Sequence, residues 1–463
     1  MVIFSFIFFL SIFVVIGALS YFKSSGNTDD YLIANRSISP LFTALSAVAT
    51  LNSGYMFIGM IGYTYLFGLS SIWLMFGWIF GDLIASFLVH RKVRIFSQRR
   101  KILSFAGLIS SWHGDDFKKA RLVAGIIIII FLQTYAAAQL KAGSKALHVI
   151  FGWDYSYGAL IGAIIVLIYC FAGGIRASIW TDVAQSFVMM AAMMVLLMVS
   201  ISNFGGVNII ISDLNNISPQ YMRFFSDDIS QSFFASSFLF VIGWVFSGFG
   251  VAGQPHIMVR FMAMKSSKNI ARVRFYYYFF YILFFALTIA TALIARLVFT
   301  DNSDFDTELA LPMMAQKFLP EFLIGLVLAG LFSATISTAD SQILSCSAVL
   351  SNDLADIKKN KYIVTKLSTL MTTIIALLIA LYASSNVFEL VLIAWSSLGA
   401  VFAPILTLYA FNKKISQNLL IAMMISSLLS VMLWQKLGLS SDFNEMAVGI
   451  IISFLTYFTF KKC

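Results

Sequence analysis

The chain contains about thirteen apolar stretches, and each is long enough to cross a lipid bilayer as a helix. Of its 463 residues, 60% are hydrophobic and only 11% are charged, which excludes an ordinary soluble globule. The sequence therefore predicts an all-α polytopic membrane protein with a single transmembrane domain. The stretches fall at roughly 3–22, 40–66, 70–90, 122–140, 156–173, 182–204, 232–258, 275–298, 319–350, 362–383, 386–411, 417–435 and 443–460.

Basic residues are concentrated in alternate loops. Nine Lys and Arg fall within 91–121 and five within 260–274, whereas the loops around 213–228 and 301–308 are acidic. Because cytoplasmic loops carry the excess of Lys and Arg, we expect the amino terminus outside and the carboxyl terminus in the cytoplasm. The chain would then be a multi-pass protein of the cytoplasmic (inner) membrane. This topology also accounts for the net charge of +10, so we expect no nucleic-acid partner.

The second apolar stretch is interrupted near its centre by small and polar residues. They are Thr50, Asn52, Ser53 and Gly54, inside the run 44–62. Irregular backbone at membrane depth is tolerated only where it is buried in protein or lines a cavity. The carbonyl groups that a broken helix frees, together with nearby hydroxyl groups, are suitable ligands for a small hard cation. The sequence therefore predicts a transporter with an ion site at this break.

A second interruption occurs five stretches later, within 243–256. Gly250, Gly253 and Pro255 would break or kink a helix there. Since five is an odd number, a second unit of five helices would have inverted topology. Paired interruptions at corresponding positions are typical of inverted-repeat transporters, whose site lies near the midplane of the membrane. The alternative explanation is close packing of helices through small residues.

This pairing divides the single domain into two repeats with additional helices at both ends. Each repeat would contain five helices and would begin with an interrupted one. The predicted parts are 1–39 (extra amino-terminal helix and loop), 40–204 (first repeat), 232–411 (second repeat) and 412–463 (extra carboxyl-terminal helices).

Four acidic residues lie in or next to the apolar stretches, namely Asp82, Asp182, Asp340 and Glu389. Carboxylates inside a membrane are costly and are therefore candidates for function. Asp82 could instead pair with a basic loop, and Asp182 could cap the amino terminus of a helix. Glu389 is expected to be solvated. Asp340 lies deepest in its stretch and is the strongest functional candidate of the four.

The segment around Asp340, 332–347, is rich in hydroxyl groups. Ser333, Ser337 and Ser341 follow each other at helical spacing and can share one face. Hydroxyl oxygens are neutral ligands for sodium, although Ser and Thr also bond back to their own helix or bridge neighbouring helices. A cluster of this density, facing an interrupted helix, favours an ion site.

Catalytic patterns are absent from the sequence. It has no Walker motif, no nucleophile–base constellation and no spacing typical of a transition-metal site. We therefore expect neither an enzyme nor a built-in ATPase.

Several of these segments resemble the bacterial sodium/solute symporter family, and most closely its sodium/proline symporters. The resemblance covers about 31–434 and includes both interruptions and the hydroxyl-rich segment. It also includes Gly173 to Asp182, the run GQPHIMVRFMA at 253–263, and 394–404. The resemblance implies a LeuT-type 5+5 inverted repeat, with sodium (Na+) as the coupling ion.

The resemblance also implies site residues. The sodium ligands would be the backbone carbonyls of Ala49, Asn52 and Ala334 and the hydroxyls of Ser337 and Thr338. A second cation site would include Asp182, Asp340 and Ser341. The substrate would contact Ser53, Gly54, Tyr135, Gln254 and Pro255.

Two positions depart from the proline-type pattern. The family aspartate that precedes Asn52 is Leu51 here, which removes a negative charge that Asp340 would have to replace. The family tryptophan eight residues before Pro255 is Ser247, with Trp244 one turn earlier. This second change removes or moves an aromatic wall of the expected proline pocket.

Together these features predict a sodium-coupled secondary symporter that imports a small organic solute by alternating access. The solute would be proline or a related amino acid, and we expect the protein to act as a monomer in the lipid bilayer. One alternative is a proton-coupled carrier of the same fold, with Asp340 or Asp182 as the protonated group. Another is a sensor or receptor built on a transporter-like membrane domain.

Overall fold

The computed structural model describes residues 1–218, 220–224, 237–299, 306–354, 360–382, 387–441 and 443–461. The described residues form nineteen α-helices, which confirms the predicted all-α class. Parts of the two acidic loops and the predicted start of the second repeat at 232 lie outside the described residues. The helices are α1 (Val2–Leu19), α2 (Thr28–Ile33), α3 (Pro40–Gly54), α4 (Met60–Phe67), α5 (Ile72–Ala85), α6 (Arg91–Arg99), α7 (Phe105–Ser111), α8 (Lys118–Phe151), α9 (Tyr155–Asn203), α10 (Val207–Ile217), α11 (Ser237–Phe249), α12 (Pro255–Ala263), α13 (Ile270–Val298), α14 (Ala310–Phe318), α15 (Glu321–Val349), α16 (Lys361–Tyr382), α17 (Val387–Ala410), α18 (Gln417–Lys436) and α19 (Glu445–Phe460).

The number of membrane crossings agrees with the sequence-based expectation. Nine helical stretches in the described part of the chain are long and apolar enough to cross a membrane. Two of them, Pro40–Arg99 with 60 residues and Tyr155–Asn203 with 49, are long enough for two crossings each. Counting these two twice and adding the shorter apolar helices Leu239–Gly253 and Glu445–Phe460 gives about thirteen crossings.

The fifth and sixth predicted stretches meet directly, without a loop between them. Both lie in α9, whose backbone is non-helical at Gly174 (φ 57°, ψ −140°), so two helical segments join at a kink there. A Cβ atom at Gly174 would lie 2.3 Å from the carbonyl oxygen of Tyr31, so the close approach of α2 requires a glycine here. Asp182 therefore lies inside a helix, two turns beyond the kink. The alternative that it caps a helix amino terminus is wrong.

Helix α15 lies at the centre of the bundle. In its most apolar window 83% of the residues are buried, and the same share applies to α17, against 28% for α1 and 33% for α16 and α18. The hydroxyl-rich segment therefore lies in the most protein-enclosed helix, where lipid does not reach it. The outer helices α1, α16 and α18 present apolar side chains to the bilayer.

Helix α11, which precedes the second interruption, packs against α5 through closely fitted glycines. A Cβ atom at Gly248 on α11 would lie 1.9 Å from the carbonyl oxygen of Trp78 on α5. A Cβ atom at Gly81 on α5 would lie 1.9 Å from the carbonyl oxygen of Val245 on α11. Small residues let helix backbones approach closely in membranes. The small-residue packing considered for the second interruption thus coexists with the break, which begins two residues beyond Gly248.

Candidate functional site

The first interrupted helix breaks at the predicted position. Ser53, at the end of α3, has φ 44° and ψ −179°, a conformation that is strained for a residue with a side chain. A π-helical turn, Tyr55–Gly59, follows and leads into α4. The backbone N–H of Gly54 donates to Oε1 of Gln139 on α8 at 2.7 Å. The break is therefore held by a polar side chain from a neighbouring helix, which satisfies a backbone group that the helix cannot pair.

Two hydroxyl groups of α15 lie directly against the carbonyl groups before this break. The Ser337 hydroxyl is 3.1 Å from the Ala49 carbonyl oxygen and 3.2 Å from that of Ala334. The Thr338 hydroxyl is 2.9 Å from the Thr50 carbonyl oxygen and 3.1 Å from that of Ala334. All of these residues are buried. The structure thus brings together four of the five predicted sodium ligands. Two are backbone carbonyls, one from α3 and one from α15, and two are side-chain hydroxyls of α15.

The fifth predicted ligand, the carbonyl oxygen of Asn52, accepts the backbone N–H of Tyr55 across the break. A carbonyl oxygen has two lone pairs, so this bond leaves one available. The side-chain amide of Asn52 is buried and neither of its polar atoms has a hydrogen-bond partner among the described residues. This set of neutral oxygens matches the chemistry of a hard monovalent cation, which binds oxygen ligands.

The second interruption also lies where the sequence predicts it. Helix α11 ends at Phe249, a 3₁₀ turn covers Gly250–Gly253, and Gln254 is extended before α12 begins at Pro255. The side-chain nitrogen of Gln254 donates to the carbonyl oxygen of Trp395 on α17 at 2.9 Å. Its side-chain oxygen is buried and has no hydrogen-bond partner among the described residues.

The predicted substrate residues come from three distant parts of the chain and are all buried. The side chain of Tyr135 on α8 lies near that of Ser53 at the first break. The ring of Tyr135 also lies edge-on to His256, with centroids 5.6 Å apart, next to Gln254 and Pro255 at the second break. Tyr135 therefore connects the two interruptions, as a substrate site between them requires.

An aromatic cluster replaces the tryptophan that the proline-type pattern places at position 247. Trp78 stacks on Trp244 with centroids 5.5 Å apart and lies 5.2 Å from the ring of Trp395. The indole N–H of Trp395 donates to the carbonyl oxygen of Ser247 at 3.3 Å. The three indole rings therefore lie together near Ser247, one from α11 itself and the others from α5 and α17. Trp395 was visible in the motif at 394–404, yet its spacing gave no indication of this contact.

Sequence reasoning placed Arg260, on α12, wrongly. Its position between two apolar stretches indicated a cytoplasmic loop, but the side chain is completely buried. One guanidinium nitrogen lies 3.3 Å from a carboxylate oxygen of Asp182 and 3.8 Å from one of Asp340. The loop assignment failed because α12 continues inward from the second break and carries Arg260 into the core.

Hydroxyl groups complete the surroundings of both carboxylates. Asp340 accepts from Tyr169 at 2.7 Å, from Ser178 at 2.9 Å and from Ser341 at 2.8 Å. Asp182 accepts from the Ser46 hydroxyl at 2.5 Å through the oxygen that faces Arg260. Its other oxygen is buried and without a hydrogen-bond partner among the described residues.

The three residues predicted for a second cation site are thus brought together around a guanidinium group. Arg260 donates to the Ser341 hydroxyl as well as facing both carboxylates. Ser341 also contacts the Thr50 hydroxyl at 3.1 Å, next to the predicted sodium ligands. We refer to Asp182, Asp340 and Arg260 as the charge cluster.

The other two acidic residues have different environments. Asp82 on α5 is fully buried and faces Tyr277 and Tyr278 of α13. It forms no ion pair with the described residues of the basic loop, so that alternative is wrong. Glu389 is exposed, as expected. Among the described residues, no group of three His, Cys, Asp or Glu side chains could hold a metal ion.

Two interrupted helices that face each other across a buried polar site define a LeuT-type transporter, and solved structures support this class. A Na+-coupled sialic acid symporter, in a substrate-bound outward-open state, aligns with a TM-score of 0.84 at 19% identity, over 98% of this chain and 96% of that one. MhsT in complex with L-phenylalanine aligns with a TM-score of 0.60 at 13% identity, over 91% and 99% of the two chains.

The chain belongs to the sodium:solute symporter family, whose model matches residues 31–441. It is 30% identical over 454 residues to the high-affinity proline transporter PutP of Bacillus subtilis (strain 168), covering 96% of this chain and 94% of that protein. It is 29% identical over 436 residues to a sodium/proline symporter of Staphylococcus aureus (strain JH9), covering 91% and 83%. The predicted family is confirmed: the protein is a multi-pass, sodium-coupled symporter of the cytoplasmic membrane, not an enzyme.

Proposed function

We propose that this protein imports L-proline together with sodium, acting as a monomer in the cytoplasmic membrane. The names of its relatives supply the substrate, since the Bacillus subtilis and Staphylococcus aureus proteins are a proline transporter and a sodium/proline symporter. The observation that carries the proposal is the contact of two α15 hydroxyls with the α3 carbonyls beside a break in that helix.

The sodium site in this proposal uses five oxygen ligands. A neutral cage of this kind binds a monovalent cation weakly enough to release it, as each transport cycle requires. Because the ligands come from α3 and α15, sodium would hold these helices together and would favour the state that binds substrate. The ligands are the carbonyls of Ala49, Asn52 and Ala334 and the hydroxyls of Ser337 and Thr338.

The substrate site in this proposal lies between the two interruptions. The amino terminus of α12, at Pro255, carries a partial positive charge and would attract the carboxylate of an amino acid. The unpartnered side-chain oxygen of Gln254 would accept a hydrogen bond from the substrate ammonium group. The phenol of Tyr135 and the backbone at Ser53 and Gly54 would close the other side. The tryptophan cluster would pack against the apolar pyrrolidine ring.

Coupling then follows from linkage between the two sites. Sodium and proline each stabilise the closed arrangement of α3, α8, α12 and α15, so the two solutes bind cooperatively. One sodium ion moving down a tenfold gradient and a potential of 100 mV supplies about 3.7 kcal/mol. This free energy would sustain an approximately 500-fold accumulation of proline.

Uptake into proteoliposomes tests this proposal. Purified protein is reconstituted, and labelled L-proline uptake is measured under an inward sodium gradient and under a matched choline gradient with an imposed proton gradient. D-proline, L-alanine and L-phenylalanine serve as competitors. We expect sodium-dependent uptake that unlabelled L-proline inhibits most strongly. Uptake driven by protons in choline would refute sodium coupling, and sodium-driven uptake that L-proline does not inhibit would refute the substrate.

A further inference from the structure

The charge cluster carries one uncompensated negative charge when both carboxylates are ionised. Asp182 and Asp340 contribute two negative charges, and Arg260 contributes one positive charge. All three side chains are 0% exposed, so water does not screen this imbalance. Three hydroxyl groups donate to Asp340, which stabilises its ionised form. Burial of a net charge is costly unless a cation lies nearby.

The cluster is hydrogen-bonded to two residues that lie one helical turn from proposed sodium ligands. The Asp182 carboxylate accepts from Ser46, which lies one helical turn before Ala49 on α3. The Ser341 hydroxyl lies 2.8 Å from the Asp340 carboxylate and 2.6 Å from the carbonyl oxygen of Ser337, and it can donate its single hydrogen to either of them. Residues one turn apart on a helix lie about 5–6 Å from each other. Both carboxylates therefore lie within about two helical turns of the sodium site.

This chain needs a source of negative charge at that distance. The ligands of the proposed cage are all neutral, and the family aspartate beside Asn52 is Leu51, which is buried. A neutral cage in a low-dielectric interior has no partner for the charge of sodium, whose desolvation is costly. The charge cluster contacts Ser46 and Ser341, which lie next to the cage on α3 and α15, and it carries the negative charge that the cage itself lacks.

We propose that the charge cluster sets the sodium affinity of the neutral cage, with Arg260 cancelling one of its two carboxylates. In this account Arg260 occupies the centre of the predicted second cation site, so only one sodium ion binds per protein. The inference rests on the proposed sodium site but not on the identity of the solute. The three residues of the charge cluster are positioning residues, because they act on sodium through their electrostatic field and through Ser46 and Ser341.

Substitutions that change the net charge of the cluster test this inference. Asp182→Asn places its amide at the unpartnered carboxylate oxygen, so the variant keeps the contacts with Ser46 and Arg260. It changes the net charge from −1 to zero. Arg260→Gln changes the net charge to −2, and the double variant restores −1. The measurement is binding of ²²Na⁺ to purified protein without solute, which reports both affinity and the number of sites.

We expect one site in the unmodified protein. Asp182→Asn should weaken ²²Na⁺ binding about fivefold to thirtyfold, the range for one unit charge at about 8 Å to 17 Å with an effective dielectric constant near 20. Arg260→Gln should tighten binding or add a second site, and the double variant should return to within about threefold of the unmodified affinity. If the cluster had only a structural role, the double variant would instead have the weakest ²²Na⁺ binding of the three variants.

The outcomes separate this inference from the proposed function. If the unmodified protein binds no ²²Na⁺, the proposed sodium site fails. If it binds one ion but the affinity does not follow the net charge, the sodium site stands and the inference is overturned. Two sites in the unmodified protein would also overturn it. Where a single variant does not fold, the site count of the unmodified protein and the double variant still decide.

A second inference rests on a different region, a cavity of about 460 Å³ near the ends of α5 and α13. Helix α5 is apolar and the chain becomes basic at Arg91, while α13 is basic in its first turns and apolar beyond Arg274. By the charge pattern this level is the cytoplasmic boundary of the bilayer. The cavity is lined by Phe87, Arg91, Ser267, Lys268, Ile270 and Arg274.

Three cations face this cavity without an acidic partner. Arg274 is held in place, because it donates to the hydroxyl and the carbonyl oxygen of Ser86 at 2.8 Å each and lies 4.1 Å from the centre of the Phe87 ring. Arg91 and Arg274 repel each other. Among the described residues, none of the three cations forms an ion pair with a carboxylate. An anion in the cavity would relieve this repulsion.

The geometry points to the headgroup of an anionic phospholipid as the occupant. Phe87 is 62% exposed and Phe275 is 69% exposed beside the cavity, so acyl chains can contact them while the phosphate reaches the cations. Basic pockets between membrane helices on the cytoplasmic side are suited to such headgroups. A zwitterionic lipid carries a compensating ammonium group, which three cations would repel.

Native mass spectrometry of the detergent-solubilised protein tests this site with added phosphatidylglycerol and phosphatidylcholine. The double substitution Arg91→Gln/Lys268→Gln leaves the Arg274 contacts intact, and Lys118→Gln/Lys119→Gln removes two exposed cations elsewhere on the same side. We expect the first variant to retain at least fivefold less phosphatidylglycerol than the control. Equal retention in both variants, equal retention of the two lipids, or displacement by millimolar inorganic phosphate would overturn the proposal.

Discussion

Removal of the Thr338 hydroxyl should weaken sodium activation without unfolding the protein. The hydroxyl lies 2.9 Å from the carbonyl oxygen of Thr50 and 3.1 Å from that of Ala334, so it belongs to the group of oxygens proposed to surround the ion. A hydrogen bond to a charged partner contributes about 1.5–3 kcal/mol, and an ion–oxygen contact is comparable. Thr338→Ala should therefore raise the half-saturating sodium concentration about tenfold to a hundredfold.

The same substitution should have a small effect on stability. Hydrogen bonds between membrane helices contribute about 0.6 kcal/mol on average. Loss of the Thr338 contact with α3 should therefore change the thermal unfolding of the purified protein very little. Thr338→Ser keeps the hydroxyl and should preserve sodium activation to within about threefold.

Ser333 provides a matched control on the same helix. Its hydroxyl is also buried, but it bonds only to the carbonyl oxygen of Ala329 in its own helix, at 2.6 Å. Ser333→Ala should leave the half-saturating sodium concentration unchanged, both in proline uptake and in ²²Na⁺ binding. If Thr338→Ala and Ser333→Ala behave alike in both assays, the sodium site has been placed on the wrong face of α15.

Three further substitutions test other parts of the molecule. Tyr135→Phe removes the phenol that reaches the first break and should raise the half-saturating proline concentration about threefold to tenfold, with sodium activation unchanged in uptake assays. Gly248→Ala forces a methyl group against the carbonyl of Trp78 and should destabilise the protein by about 1–3 kcal/mol, measured by thermal unfolding in detergent. Lys145→Gln removes the contact with Glu308 and should increase hydrogen–deuterium exchange in the segment that carries Glu308.

The positions of the two helix breaks could be predicted because the residues responsible are local. Ser53 and the glycines at 250 and 253 disfavour a continuous helix whatever surrounds them, and Pro255 suits the first turn of the next helix. Neighbouring residues alone therefore fix where each helix ends. The predicted contact of α3 with α15 followed from the density of hydroxyl groups around Ser337, a pattern that only a protein-enclosed helix tolerates.

The charge cluster could not be predicted, because it depends on how far a helix extends beyond its break. In the sequence Arg260 is one of several basic residues between two apolar stretches, and the rule for loop charges assigns it to the cytoplasm. A local signal existed: Arg260 interrupts an otherwise apolar run, four residues after His256. That spacing places it on a helix face, but nothing in the sequence indicates that it faces Asp182 and Asp340, which the family resemblance had already placed together.

At both departures from the proline-type pattern, the structure brings side chains from other helices close to the altered position. Ser247 lacks an aromatic ring, and the indole of Trp395 on α17 donates to its carbonyl oxygen. Leu51 lacks a carboxylate, and the charge cluster is hydrogen-bonded to Ser46 and Ser341, each one helical turn from a proposed sodium ligand. Since the site forms where helices of both repeats meet, several helices can supply the same group at nearly the same point. The loss of a family residue at one position is therefore weak evidence that the function is lost. The side chains that surround that position in the structure determine whether it is.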